Sequence, residues 1–461
     1  MTRVVIVGGG FAGFQAARSL TRSLPDTAGV EVVLLNPTDY FLYLPLLPEV
    51  AAAVLDPRRI AVSLPAALPG VRFVPGAVTA VDLAARRVGY TDPERGTHTL
   101  GYDRLVLAVG SVNRLLPIPG VAEHAHGFRG LAEALYLRDH VTRQIELAAA
   151  ATDPAERTAR CTFVVVGAGY TGTEVAAQGP LLTAALARRH AELRDQPVRW
   201  MLLDLAGRVL PELDPRLAHA ADRVLRDRGV DVRTGTSVEE ATSGGVRITG
   251  GEHVPTRTLA WCVGVRPDPL VEHTGLATRK GRLVVDPTLT VPGHPDVFAC
   301  GDAAAVPDLT RPGELTAMTS QHATRQGRLA GRNVAASLGY GRTRRYKHHD
   351  LGFLVDLGGT QAAANPLGVP LSGLPAKAVT RAYHLATLPG NRLRTAADWL
   401  LDAVVGRQTV ELGLVRSGAV PLVTAEPRDH VGASRRPSRP GGPGRRGRAC
   451  PSGPARPAGC G

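Results

Sequence analysis

The sequence predicts an α/β chain with two Rossmann-like dinucleotide-binding domains, a small C-terminal α+β region and a disordered tail. Three observations carry this. Two glycine-rich loops, Gly8-Gly9-Gly10-Phe11-Ala12-Gly13 and Gly167-Ala168-Gly169-Tyr170-Thr171-Gly172, lie about 160 residues apart. Each follows a short apolar β run, residues 4–7 or 163–166. Each leads into a helix-like stretch, residues 15–20 or 174–182. In such a loop the first glycine makes the tight turn and the second lets the backbone approach a pyrophosphate. The third lets helix and strand pack closely, and the phosphate rests on the helix N-terminus. One such loop is a weak signal. Two, each in strand–turn–helix context, point to two dinucleotides in one molecule, and the simplest chemistry for the pair is hydride transfer between them.

The elements follow in order. Residues 1–120 hold the first loop and β runs at 30–35, 71–74, 78–81 and 105–109, and close on the crossover Pro117-Ile118-Pro119-Gly120. Residues 132–150 read as a helix, with Leu135, Val141 and Ile145 at helical spacing. The second loop unit occupies 121–285. Residues 286–340 begin extended, pass through Asp296-Val297-Phe298-Ala299-Cys300-Gly301-Asp302, and end in a helix over 320–338. A last structured segment, 341–425, precedes a tail over 426–461.

Composition narrows the class. A chain of 461 residues supports two or three full cores, and 44% hydrophobic residues is ordinary for a globular protein. The five cysteines form no CxxC pair and no zinc spacing, which fits a reducing compartment. The first β run starts so early that no signal peptide is expected, and no uncharged apolar run reaches the ~18–20 residues of a membrane span. The net charge of +13 is uneven: residues 427–461 hold eight Arg, no Lys and one acid, Asp429. That stretch is otherwise mostly Pro, Gly, Ser and Ala, too poor in bulky apolar groups to offset its ordering entropy, so it reads as disordered. A basic tail can bind nucleic acid or anionic lipid; a solvated extension without function is the plainer reading.

Taken together, GGGFAG, Ala108-Val109-Gly110-Ser111, GAGYTGTE, Trp261-Cys262-Val263-Gly264-Val265-Arg266 and the Cys300-Gly301-Asp302 turn resemble the two-dinucleotide-binding-domain flavoprotein reductases. Within them the chain is most similar to type II NADH:quinone oxidoreductases. Residues 36–48 resemble the segment those proteins run beside the flavin. Ser320-Gln321-His322-Ala323-Thr324-Arg325-Gln326-Gly327 resembles their Ala-Gln-x-Ala-x-Gln-Gly quinone motif, and residues 346–352 with Leu357-Gly358-Gly359 resemble the start of their C-terminal region. The resemblance implies FAD on the first unit, made of residues 1–120 and 286–340, held by Gly8, Gly10, Phe11, Ala12, Gly13, Asn36, Val78, Ala108, Gly110, Gly301 and Asp302. It implies NADH on the second, held by Gly167, Gly169, Tyr170, Gly172, Asp204 and Gly264.

Some positions depart from the pattern. The strand before the ribose site usually ends in Asp or Glu; the first unit has Asn36, whose amide accepts a ribose hydroxyl more weakly. Ser320 and Arg325 replace Ala and Gln in the quinone motif, and Arg325 brings a charge that would favour another acceptor. Asp204 ends the second unit's strand, where it favours NADH and repels a 2′-phosphate; it reads alternatively as a turn cap, and nearby Arg208 could contact a phosphate.

Hydride transfer between cofactors needs position and electrostatics more than a separate acid–base pair. Glu174 is the candidate for handling protons beside the nicotinamide–flavin contact, or else a first-turn helix acid. Gln321 could hydrogen-bond a quinone carbonyl and Lys347 could stabilise its developing charge; a surface lysine is the other reading of Lys347. His348-His349 reads as a solvated strand start, and no metal site is expected. The close cysteine pairs of disulfide or sulfide chemistry are missing.

Two C-terminal stretches have helical spacing. Residues 374–388 place Lys377, Arg381 and His384 on one side, opposite Val379, Tyr383 and Ala386. Residues 391–405 align Leu393, Ala397, Leu400 and Val404, with Trp399 available as an interfacial anchor; the pattern suits a helix lying in the headgroup region and equally a helix packed on the flavin domain. The expectation is an FAD-dependent, non-proton-pumping NADH:quinone oxidoreductase, cytoplasmic and peripheral on the inner face of the cell membrane, with NADH and a membrane quinone as partners and a homodimer left open. The alternatives are a soluble NAD(P)H reductase serving a ferredoxin-like protein, and a flavoprotein regulator or nucleic-acid binder acting through its tail.

Overall fold

The computed structural model describes residues 1–405 and 407–422; the tail over 426–461, with Cys450 and Cys460, lies outside the described residues. Along the chain, β1 (Thr2–Val7) turns at Gly8–Gly10 into α1 (Phe11–Ser23). β2 (Val30–Asn36), the short α2 (Leu47–Ala51), β3 (Arg72–Pro75) and β4 (Arg104–Leu107) follow. α3 (Leu131–Ala150) leads to β5 (Thr162–Val166), α4 (Tyr170–Ala187), β6 (Arg199–Asp204), α5 (Pro215–Asp227), β7 (Val230–Thr234) and β8 (Thr258–Trp261). The chain returns through β9 (His294–Ala299) to α6 (Ser320–Ser337). It then forms β10 (Leu354–Asp356), β11 (Ala362–Ala364), β12 (Leu371–Ser372), α7 (Gly373–Thr387) and α8 (Arg392–Val404).

Two parallel sheets result. The first has the order Thr290–Val291, β9, β4, β1, β2, β3, and only its Thr290–Val291 edge runs antiparallel. The second has the order His126–Gly127, β8, β5, β6, β7. Both faces of the sheets are covered, the second by α4 and α5 on one side and by the antiparallel strands Val238–Thr242, Gly245–Ile248 and His253–Pro255 on the other, so the strands are continuous apolar runs rather than alternating ones. Val4–Val7, Leu34, Leu35, Phe163–Val166 and Met201–Leu203 are all buried, each such side chain worth about 1.5–3 kcal/mol. β9 joins the first sheet beside β4, which places the Cys300–Asp302 turn next to the first loop.

α6 crosses α1 at very close range. A Cβ on Gly327 would lie 2.1 Å from Ala12 O, and one on Gly331 would lie 2.4 Å from Ala16 O. These two glycines, four residues apart on one helical face, set the approach that brings the start of α6 to the first glycine-rich loop.

The C-terminal helices resolve which side faces inward, a choice that spacing alone leaves open. On α7 the polar side is the buried one: Lys377, Thr380 and His384 point into the protein, where Lys377 meets Asp356 and His384 meets Tyr43. On α8 the expected anchor Trp399 is buried and donates its Nε1–H to Glu49 of α2. Leu393, Leu400 and Val404 of α8 are exposed, at 88%, 66% and 75%, so its apolar stripe faces outward.

Candidate active site

Both loop helices start on a glycine, Gly10 for α1 and Gly169 for α4, with no side chain capping the first turn. By contrast Asp214 caps α5 and Thr319 caps α6. The uncapped N–H groups of α1 and α4 are therefore free to meet a phosphate. Gly8 and Gly167 both hold positive φ, +98° and +102°, as the tight turn requires. Nothing lies within 4 Å of where a Cβ of Gly10 or of Gly169 would stand, so each loop leaves an open cradle over its helix start. These cradles fit the pyrophosphates of FAD and a nicotinamide dinucleotide.

One cavity of about 1340 Å³ spans both loops. Gly8, Gly10, Phe11, Ala12, Asn36, Ala108, Gly110, Gly301 and Asp302 line it from the first unit; Gly167, Gly169, Tyr170, Glu174, Asp204 and Gly264 line it from the second, and Gln321 from α6. Gly13 and Gly172 stand behind the loops, where each lets its helix pack on the preceding turn. Val78 is half-buried on the strand Ala77–Asp82 and Lys347 is exposed; neither lines the cavity.

Side chains lock the walls. Asn36 Oδ1 accepts from Gly9 N–H at 2.7 Å while its Nδ2 donates to Thr38 O. Asp204 makes the matching bond to Ala168 N–H and a second, at 2.7 Å, to Ala206 N–H. Arg208 Nη2 donates to the carbonyls of Pro211 and Leu213, which staples that turn. Ser111 Oγ donates to Asp302 Oδ2 at 2.6 Å, and Gln326 Oε1 accepts from Gly301 N–H. Gln321 donates to Gly352 O at 2.6 Å, and its Oε1 is buried without a protein partner among the described residues. Arg325 turns from the cavity onto His349 O and His348 Nδ1, so its charge does not face an acceptor there. His348 sits in a loop, not at a strand start, with its ring 4.0 Å from that of His322. Among the described residues no group of three or more His, Cys, Asp or Glu has the geometry to hold a metal.

Behind the cavity lies a buried charged cluster that sequence reasoning missed. Glu174 accepts the backbone N–H of Asp356 at 2.9 Å. The Asp356 carboxylate receives Lys377 Nζ on both oxygens at 2.6 Å, and Glu49 stands 3.9 Å from the same ammonium. Burial holds the Glu174 carboxyl well above the usual carboxylate range. Burial, with Asp356 nearby, pushes Glu49 up to about 8. An acid inside the otherwise apolar Leu44-Pro45-Leu46-Leu47-Pro48-Glu49-Val50 run was the signal for Glu49, since charged groups are rarely fully buried unless paired. Arg228 fixes the following Leu357-Gly358 turn by donating to both carbonyls.

Comparison with known proteins agrees with this architecture. Residues 2–327 match the family model of pyridine nucleotide-disulphide oxidoreductases. The type II NADH:quinone oxidoreductase NdhA of Mycobacterium tuberculosis is 33% identical over 86% of this chain and 85% of its own length. The demethylphylloquinone reductase NdbB of Synechocystis is 30% identical over 86% of this chain and 95% of its own. NDH2 of Plasmodium falciparum, solved with NADH, shares the fold at TM-score 0.79 and 17% identity, over 89% of this chain and 99% of that one. With its two open cradles on one cavity and this breadth of similarity, the chain belongs to the pyridine nucleotide-disulphide oxidoreductase family and, within it, to the type II NADH:quinone oxidoreductases.

Proposed function

We propose that the protein oxidises NADH through bound FAD and delivers two electrons to a membrane quinone without moving protons across the membrane. The observation that carries this is the single cavity, with one glycine loop on each side and Gln321 and Glu174 in its wall. Bound FAD supplies a hydride acceptor that can pass electrons on in pairs. Gly8 to Gly13, Asn36, Ala108, Gly110, Gly301 and Asp302 would hold it; Val78 stands outside the cavity wall and would act only through its strand.

Gly167, Gly169, Tyr170, Gly172, Gly264 and Asp204 would hold NADH on the facing side. Tyr170 stacks on Phe353 with ring centroids 5.6 Å apart, which fixes the α4 end of the cavity. Glu174, whose carboxyl burial holds well above the usual carboxylate range, is placed to carry a proton beside the cavity. Lys377, with Asp356, sets the charge behind it. Gln321 has a second Nε2 hydrogen to offer to a carbonyl.

The outward apolar stripe of α8, with exposed Leu374 and the exposed cavity-lining Leu367, supports peripheral contact with the headgroup region. No described helix is long and apolar enough to cross a membrane. The inner face of the cell membrane, where NADH is made available, is the proposed location. The experiment is steady-state NADH oxidation by purified protein with a menaquinone analogue, a ubiquinone analogue and ferredoxin compared as acceptors. Quinone turnover is expected; turnover with ferredoxin alone contradicts the proposal.

A further inference from the structure

The cavity holds one imidazole, and its proton can be located by counting. His384 of α7 lines the wall together with Leu44, Leu354, Val379 and Tyr383. Its Nδ1 lies 3.1 Å from the Tyr43 hydroxyl, which in turn lies 2.6 Å from Thr387 Oγ1. Thr387 has one hydroxyl proton, and it goes to the Tyr383 carbonyl at 2.7 Å. Thr387 must then accept from Tyr43 O–H, and Tyr43 must accept from His384 Nδ1–H. No other assignment keeps all three bonds. The remaining nitrogen, Nε2, makes no hydrogen bond with a described residue and carries a lone pair.

We propose that His384 discriminates the redox state of the acceptor: its Nε2 is held as a hydrogen-bond acceptor, so the cavity favours a hydroxyl-bearing hydroquinone over the corresponding quinone. A quinone carbonyl offers only lone pairs to this nitrogen, whereas a hydroquinone offers an O–H. Tyr43 and Thr387 are the positioning residues that set the tautomer. Burial lowers the imidazole to about 4, so it stays neutral at pH 7 with Asp356 and Lys377 as its charged neighbours. The inference rests on the quinone reading of the cavity.

The test uses the oxidised holoprotein with ¹⁵N-labelled histidine. The His384 signals are assigned by their loss in His384→Gln. Nitrogen shifts should report Nδ1–H in wild type and in Thr387→Ser, which keeps the hydroxyl. In Thr387→Val the Tyr43 proton loses its acceptor and turns to Nδ1, so the ring should switch to Nε2–H. Anaerobic equilibrium dialysis with duroquinone and duroquinol supplies the second readout. Wild type and Thr387→Ser should prefer duroquinol, and Thr387→Val should lose that preference by about tenfold, the scale of one hydrogen bond gained or lost. An Nε2–H tautomer in wild type, a tautomer unchanged in Thr387→Val, or equal preference in wild type and Thr387→Val overturns the inference alone. Failure of the quinone reading looks different: neither probe binds, duroquinone supports no NADH oxidation, and the inference falls with it.

Discussion

The two glycine loops are near copies in backbone and differ in the side chain that closes them. A Cβ on Gly8 would meet Ala108 O at 2.3 Å, and one on Gly167 would meet Cys262 O at 2.3 Å. Gly13 and Gly172 would strike the carbonyls of Gly8 and Gly167 at 1.7 and 1.8 Å. Yet the first loop is tied down by a neutral amide, Asn36, and the second by a carboxylate, Asp204. Steric demand thus dictates the loop shape twice over, while the residue ending each strand is free to vary with the ligand. A carboxylate suits a 2′-hydroxyl and repels a 2′-phosphate; an amide distinguishes them less.

The sharpest way to break the comparison is to fill the open cradles one at a time. A Cβ at Gly10 has no protein atom within 4 Å, so in Gly10→Val the fold should survive while flavin is lost; Gly169→Val should keep its flavin and raise the KM for NADH at least tenfold. Absorbance of the purified variants decides it. Full flavin occupancy in Gly10→Val would reverse the assignment of the first loop.

The next contrast lies between two acceptor-side candidates that the structure separates. Gln321→Ala should slow quinone reduction on the order of a hundredfold, about 3 kcal/mol, with NADH oxidation at the nucleotide side little changed. Lys347→Ala should change it less than twofold, because Lys347 is exposed and outside the cavity wall. Equal effects of the two, followed in separate half-reactions, would place the acceptor elsewhere.

Making the second unit resemble the first is a smaller step. Asp204→Asn keeps an acceptor for Ala168 N–H while removing the charge. It should narrow the NADH-to-NADPH ratio of kcat/KM by roughly tenfold. If wild type already uses both equally, Asp204 does not select the coenzyme.

The smallest effect belongs to a buried carboxyl outside the loops. Glu49 is raised to about 8 by burial, so the folded protein holds a proton that the unfolded chain releases near the usual 4.5. Stability from this group is fully present below pH 4.5 and is lost as pH rises towards 8. Glu49→Gln keeps an acceptor for Trp399 and removes that loss. Its Tm relative to wild type should rise by a few degrees between pH 5 and pH 8; a difference that stays flat with pH would mean Glu49 ionises as an ordinary carboxylate.

How much of this was legible beforehand varies by region. The loops, the sheets and α6 were readable because glycine spacing and apolar runs are local signals that tertiary packing does not override. The cluster of Glu49, Asp356 and Lys377 was not, because its members come from α2, β10 and α7 and only the packing of those elements brings them together. Spacing put Lys377 on the polar side of an amphipathic helix. Amphipathicity gives two faces but not which one turns inward, and a buried carboxylate reversed the usual choice. Trp399 failed for the same reason: an indole suits an interface, and equally suits a buried acceptor such as Glu49. Gln321 and Lys347 were read from one resemblance, and only coordinates could separate the cavity wall from the surface.

The most direct measurement mixes the anaerobic holoprotein first with NADH and then with a soluble quinone while following flavin absorbance near 450 nm. The account predicts bleaching by NADH and full recovery on adding quinone, through one NADH per chain. Bleaching that quinone does not reverse, but ferredoxin does, would contradict it.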